Sequence, residues 1–349
     1  MNGYERMMAA MQLQQPDQVP IFEVLVHENV WSSLCPEAES KTDFEEMMDF
    51  DGVCCGGQFR AVEERGDYYT DEWGVVYKRG GLEDVNHPVE APLQSIDDLS
   101  SYVPPDPDAP WRLGKLPDLV ERFKGKRAIV FHLRTAFMDS ASLMGLDQML
   151  MNFLIDPQFV EAVMDVVLEA NMRVVRNAVR AGADIIMVGD DYASNDAPLM
   201  SPQIFRDFIA PRLAKMVEMV HEEGAYLIKH SDGNLWPILD DILDTGADGL
   251  NPIEPQAGMD IEKVKQYCGD RVCLSGNIDC GHLLPHGSAD QVRQAVIECI
   301  RKAAFGGGFI MHSSNSIHSS VNPENYRTMI DATRRYGRYP LQLPARGET

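Results

Sequence analysis

Short apolar runs recur along this chain, and most close on polar or glycine-rich residues. Eight are read as strands: Val19–Val26, Asp51–Cys55, Ala128–Leu133, Ala183–Gly189, Ala225–Lys229, Gly249–Asn251, Val272–Ser275 and Gly308–Met311. From the third onward they alternate with segments of helical period. After Asp156-Pro157, the residues Phe159, Val160, Val163, Met164, Val167 and Leu168 fall on one helix face, and Gly182 supplies a stop. The next helix opens at Ser201-Pro202, an N-cap followed by an N1 proline. It buries Ile204, Phe205, Phe208, Leu213, Val217 and Val220, and it stops at Gly224. The joints repeat, with "AGAD" at 181–184 and "TGAD" at 245–248 each turning a helix end into a strand. Continuous apolar strands alternating with amphipathic helices imply a parallel sheet covered on both faces. Eight of them favour a closed (β/α)8 TIM barrel, an α/β fold, over an open sheet. No GxGxxG follows an early strand, which weakens a dinucleotide-binding fold, and Gly306-Gly307-Gly308 reads as a tight helix-to-strand turn.

Such a barrel needs about 250 residues, so roughly a hundred are surplus. Most fall in an insertion at about 57–126 of a single domain spanning 1–349, which also carries an elaborated N-terminal region. Within the insertion, "YYTDEWGVVYKRGG" at 68–81 alternates aromatic and β-branched residues and ends in a glycine pair, the pattern of a β-hairpin. "YVPPDPDAPW" at 102–111 is a proline-rich connector. The 19 methionines fall mostly in helical stretches and fit gaps in a core.

Composition narrows the function classes. Hydrophobic residues make up 44% of 349, enough for a substantial core. Against 54 acidic residues stand 31 Lys and Arg, a formal charge of -23. That surface repels phosphate backbones and argues against nucleic-acid binding. No apolar run approaches the ~20 residues that span a bilayer. The first twenty residues carry polar side chains throughout and lack a signal-peptide core, so a soluble cytoplasmic protein is the expectation. Seven cysteines without a CxxC pair read as reduced thiols.

If the barrel forms, the C-terminal ends of its strands hold the chemistry. Two consecutive segments end in His230-Ser231-Asp232 and in Asn251-Pro252-Ile253-Glu254. Residues two apart on an extended chain point the same way, so His230 and Asp232 can face one centre, and Glu254 can join them from the neighbouring strand end. An imidazole and two carboxylates make an incomplete shell of the kind a catalytic divalent ion uses. The plainer alternative is that His230 and Asp232 hydrogen-bond each other and the loop. The remaining rim is dense in ionisable groups. His27 and Glu28, His132 and Arg134, Asp279 and Asn315 are candidates for substrate binding. Asp190, Tyr192, His312 and Asn277 are candidates for catalysis, the last by orienting substrate or a metal ligand.

Four segments carry a family resemblance: "DFIAPRLAKMVEMVHEEGAYLIKHSDGN", "ILDTGADGLNPIEP", "LSGNIDCGHLL" and "GGGFIMHSSNSI". In them the chain resembles the uroporphyrinogen decarboxylase superfamily, most clearly from about residue 180 to 340, and the resemblance implies a (β/α)8 barrel. That superfamily holds true decarboxylases and cobalamin-associated methyltransferases. True decarboxylases carry an arginine-rich segment after the first strand, where this chain has "IFEVLVHENVWSSL" with no arginine. A tetrapyrrole bearing many carboxylates needs cations near it. The methyltransferase branch binds zinc through His-x-Cys, a later Cys and in some members a Glu. His230 matches the His, Asp232 stands at the first Cys position and Glu254 matches the Glu, while the last Cys falls near His312 or Asn315.

Replacing thiolates by oxygen and nitrogen groups makes a harder, more Lewis-acidic centre, suited to polarising an ether or alcohol oxygen rather than activating a thiol. The resemblance and this departure together imply a Zn2+-dependent methyltransferase, or one using another divalent metal. It would move a methyl group from a small, methoxylated donor to a corrinoid on a partner protein. Asp190, Tyr192 or His312 would supply a proton or hydrogen bond, and a homodimer is one candidate assembly. The alternatives are a decarboxylase or lyase acting on a small carboxylic acid held by Arg134 or Arg60, and a non-catalytic binding protein.

Overall fold

The computed structural model describes residues 1–80 and 86–345. Gly81, the last residue of the expected hairpin, and 346–349 of the single-domain assignment lie outside the described residues. Strand β1 (Gly52–Gly56) is followed by four short strands, β2 (Ala61–Arg65), β3 (Tyr68–Asp71), β4 (Val76–Lys78) and β5 (His87–Glu90). Then come β6 (Ala128–Arg134), β7 (Ile185–Gly189), β8 (Tyr226–His230), β9 (Gly249–Asn251), β10 (Cys273–Ile278) and β11 (Phe309–Ser313). The long strands form a curled parallel sheet in the order β1-β6-β7-β8-β9-β10-β11. Helices fill the crossovers from β6 onward, as the alternating pattern implies. The chain is therefore α/β, with seven of the eight expected strands regular.

The exception is Val19–Val26, which makes only isolated bridges, Ile21 with Met311 and Val26 with Ile317. Two local facts prevent a ladder. Pro20 has no N–H to donate. The Ile21 N–H goes to the Asp51 carboxylate at 2.8 Å instead of to a strand. The segment still reaches both edges of the sheet. Phe22 N–H donates to the Met311 carbonyl at 3.2 Å, Met311 N–H to that of Pro20 at 2.9 Å, and Asp51 N–H to that of Ile21 at 3.0 Å.

Two helices show how sequence sets local structure. Asp156 caps Pro157–Ala181 through the Phe159 N–H. Ser201 caps the helix opened by Pro202, which continues to Glu222 through a π-helical stretch at Phe205–Ile209. Pro211 cannot supply an N–H to the turn before it, which accounts for the widened stretch.

Period-two alternation splits the core into two layers. One set of strand positions faces the helices: Phe131, Ile186, Val188, Leu227 and Leu274. The other faces the concave side: Val130, Ile185, Met187, Ile228, Cys273 and Ile310. Helix Gly3–Met11 packs Met7 and Met11 against this second set together with Phe22, closing the end of the sheet opposite the strand C-termini. At the other end the same alternation places His132, His230 and His312.

The antiparallel sheet β2-β3-β4-β5 contains the sequence-predicted turn as its central pair, Tyr68 opposite Lys78 and Tyr69 opposite Tyr77. Phe22 is fully buried in the concave layer and packs near His312, with ring centroids 5.9 Å apart. Phe22→Ala is expected to cost about 3–5 kcal/mol, read from the midpoint of urea unfolding.

Candidate active site at the strand C-termini

His230 ends β8 and is oriented from behind. Its Nδ1 lies 2.6 Å from the Asn251 Oδ1. The Asn251 amide is fixed by donating to the Ser275 hydroxyl at 3.1 Å and its carbonyl at 3.3 Å, so Oδ1 can only accept. Nδ1 is therefore the protonated nitrogen, and Nε2 keeps its lone pair for the concave side. That lone pair meets Asp191 Oδ1 and Asp232 Oδ1, each 3.8 Å away.

Asp232 N–H donates to Asp191 at 3.2 Å, and Asn315 donates to the other Asp232 oxygen. Asp232 Oδ1 is buried and has no hydrogen-bond partner. Burial pushes the Asp232 carboxyl up to about 6, against the pull of His230, with Asp191 and Glu254 adding to the rise. One atom each from Asp191, His230 and Asp232 lies within 4.8 Å of the others, and no further group of this kind occurs among the described residues.

The third member differs from the sequence expectation. Glu254 turns one oxygen to the Gly233 N–H at 2.8 Å and stands outside the group, which Asp191 completes. Gly233 is in the left-handed region at φ +88, where a Cβ would collide with the Ala193 carbonyl. Only glycine lets the loop turn there and offer that N–H. Asp191 had a signal in the sequence: counting by two from Met187 through Gly189 reaches it, on the concave side.

Other candidates divide sharply. His132, Arg134, His312 and Asn315 line a cavity of about 640 Å³ over the group, together with Asp190, Asp191 and His230. Asp190 is buried, however, with both oxygens occupied by the backbone N–H groups of Thr135, Ala136 and Met138 at 2.8–3.1 Å. Tyr192 is fully buried between Phe137 and Phe205, away from the cavity lining. Asn277 holds the Ile253 carbonyl, and Asp279 accepts from the N–H groups of Gly281 and His282. His27 caps helix Glu28–Leu34, and Glu28 is exposed in its first turn. None of Asn277, Asp279, His27 and Glu28 lines the cavity.

A second wall went unread in the sequence. Tyr69, Asp71, Trp73, Val75 and Tyr77, alternate residues of the inserted hairpin, all line the cavity. Odd-numbered residues share one face of a strand, so the signal was present once the hairpin was placed over the mouth. Tyr69 and Tyr77 stack at 5.3 Å. Arg134 is tied to Asp139 at 2.9 Å and remains half-exposed to the cavity.

Behind His312 lies Glu23, fully buried, accepting from the Ser313 N–H at 2.8 Å and hydroxyl at 2.9 Å, with its Oε2 3.3 Å from His312 Nε2. Desolvation pushes this carboxyl up to about 8, so it is protonated at neutral pH. His312 Nδ1 faces the Ser313 carbonyl at 2.7 Å, which makes it the donor and leaves Nε2 to accept from Glu23. Burial pushes His312 down to about 4, the complementary state. His132 is likewise pushed down to about 4 by desolvation, because the cavity it faces is walled by protein.

A parallel α/β sheet whose strand ends gather imidazoles and carboxylates under an inserted wall defines the class. Residues 81–336 match the uroporphyrinogen decarboxylase (URO-D) family, and the chain belongs to that family. It is 23% identical over 258 residues to a uroporphyrinogen decarboxylase of Pseudoalteromonas atlantica, covering 70% of each. To the methylcobamide:CoM methyltransferase MtaA of Methanosarcina barkeri it is 32% identical over 177 residues. That match spans 50% of this chain and 49% of the methyltransferase. Among solved structures, a methyltransferase from Methanosarcina mazei shares the fold at a TM-score of 0.75 and 22% identity, covering 96% of this chain and 99% of that one.

The Glu23 carboxyl predicts a pH effect on stability. Its folded value, about 8, exceeds the ordinary 4.5, so its contribution is whole below about pH 4.5 and is lost as pH rises through about 8. In urea unfolding followed from about pH 5 to pH 9, Glu23→Gln is expected to remove a falling component from the stability curve. Parallel curves for the two proteins would show that Glu23 ionises freely.

Proposed function

We propose that this protein is a metal-dependent methyltransferase that moves a methyl group from a small, methoxylated donor to a corrinoid carried by a partner protein. The observation that carries this reading is the convergence of His230 Nε2, Asp191 and Asp232 beneath a cavity of about 640 Å³, with one buried Asp232 oxygen lacking any partner. A lone pair aimed by a fixed amide and an orphaned carboxylate oxygen are what a divalent cation requires. Zinc suits the N/O donor set, and ligand atoms about 2.0–2.2 Å from such an ion need only small movements from the 3.8 Å spacings seen here. Glu254 steadies the Gly233 loop that carries Asp232. The partial match to a methylcobamide:CoM methyltransferase, whose name gives a methylated corrinoid as its methyl source, supports a corrinoid as the reaction partner. The oxygen-rich donor set supports the direction from a methoxylated donor.

Bound there, the ion would supply Lewis-acid polarisation of the donor oxygen and favour its departure from the methyl carbon. The chain's own residues do the rest. Tyr69, Trp73 and Tyr77 present apolar rings to the body of the donor, and Arg134 offers a cation already steered by Asp139. Asn315 holds Asp232, and neutral His132 faces the cavity without adding charge. His312, both of its nitrogens engaged by Ser313 and Glu23, is a fixed neutral part of the wall. The donor oxygen, left with the bonding pair when its methyl group passes to the corrinoid, would take its proton from solvent water.

A lyase acting on a small acid is the second reading, favoured by the 70% coverage against the decarboxylases. Charge balance limits it. The cavity lining carries Arg60 and Arg134 against Asp71, Asp139, Asp190 and Asp191, a poor host for a molecule with many carboxylates.

Purified protein loaded with zinc and dialysed is expected to retain about one ion per chain, and His230→Ala to retain none, by elemental analysis. Methoxylated donors are expected to consume cob(I)alamin absorbance with the loaded protein, and His230→Ala to slow this by about a hundredfold or more. Carbon dioxide release without any corrinoid would instead establish the lyase.

A further inference from the structure

Lys229 stands where the pattern calls for an apolar side chain. On β8 it shares the helix-facing side with Leu227, between Ile228 and His230 of the concave side, and it is 1% exposed. Burying an ammonium costs several kcal/mol unless its donors are matched. Here they are matched by backbone at the ends of two strands. Nζ donates to the Asp190 carbonyl at 3.0 Å, to that of His230 at 2.5 Å and, more weakly, to that of Val188 at 3.4 Å. The ring of Tyr192 lies 4.1 Å beneath it.

These carbonyls mark the place where the β7–β8 ladder stops, at Gly189 opposite His230. Beyond it the two chains separate, and Asp191 and Asp232 leave on separate loops. Two further links cross the gap: the Ser231 hydroxyl accepts from the Tyr192 N–H at 3.0 Å, and Asp232 N–H donates to Asp191. Both depend on residues 190–192 staying beside 230–232.

We propose that Lys229 is a positioning residue for the metal site: its ammonium continues the β7–β8 pairing past the end of the ladder and so holds Asp191 against His230 and Asp232. This rests on the metal centre proposed above. It also sets a sign. A cation beside a cation site weakens metal binding by repulsion. If Lys229 acted only as a nearby charge, its removal would tighten zinc binding; as a positioning group, its loss loosens it.

Zinc affinity by chelator competition and the visible spectrum of the Co2+-loaded protein decide the matter, neither needing the methyl donor. Lys229→Met keeps the apolar stem and removes the donors. It is expected to bind zinc about tenfold more weakly or worse, with altered Co2+ band intensities. Lys229→Gln keeps N–H donors without the charge and is expected to restore unsubstituted affinity and bands. Equal or tighter binding by Lys229→Met with an unchanged spectrum overturns the assignment. If Lys229→Met does not fold, Lys229→Gln decides alone: retained affinity and bands support the assignment, and loss of both overturns it. Failure of the unsubstituted protein to bind zinc is a separate result, and it removes the metal centre itself.

Discussion

The site depends on one geometric constraint, the alternation of side chains across a curled parallel sheet. Each strand sends every second residue to the concave side and the rest to the helices. At one end those concave positions are Val130, Ile185 and Ile228, which pack with Phe22 and Met7. Two residues further along, the same rows become His132 and His230, and the row through Ile310 becomes His312. Apolar packing below and ionisable groups above are thus successive steps of one repeat. The filled lower half fixes the strand ends on which the upper half depends.

Above the packed half, polar chemistry is possible because most buried polar atoms already have partners. Asp190 caps the turn at Thr135–Met138, Asn251 aims His230, and Glu23 pairs with Ser313 and His312. Against that satisfied background, the unpartnered Asp232 Oδ1 is conspicuous. Other buried polar atoms among the described residues also lack a partner, the Thr135 and Tyr192 hydroxyls and a Glu45 oxygen among them. Asp232 Oδ1, however, is the carboxylate oxygen that stands beside an aimed imidazole, and that pairing is a physical argument for a cation.

Much of this was legible in the sequence, for particular reasons. Strands from β6 onward are near-continuous apolar runs bounded by glycine or polar turns, and their positions follow within a few residues. The strand expected at Val19–Val26 has the right composition. Its pairing is broken by Pro20 and by the Asp51 carboxylate, a contact between residues thirty apart that no local pattern reports. In the site, His230 and Asp232 follow from period two alone. The third member did not, because placing Glu254 required the path of the loop after β9, where it turns back to Gly233. Asp190 and Tyr192 looked reactive because they sit at a strand end. Only the fold shows that one is occupied by backbone N–H groups and the other faces the helices. Lys229 was invisible as anything but an interruption in an apolar run.

The wall over the mouth has its own consequence. Tyr69, Trp73 and Tyr77 come from a sheet that forms its own antiparallel ladder, whereas Asp191, His230 and Asp232 come from the parallel strands. The wall of the cavity and the ionisable cluster beneath it are therefore encoded in separate stretches of chain and built on separate sheets. Evolution or engineering can exchange the aromatic residues of that wall, and with them the shape of the cavity, while the cluster of Asp191, His230 and Asp232 stays untouched.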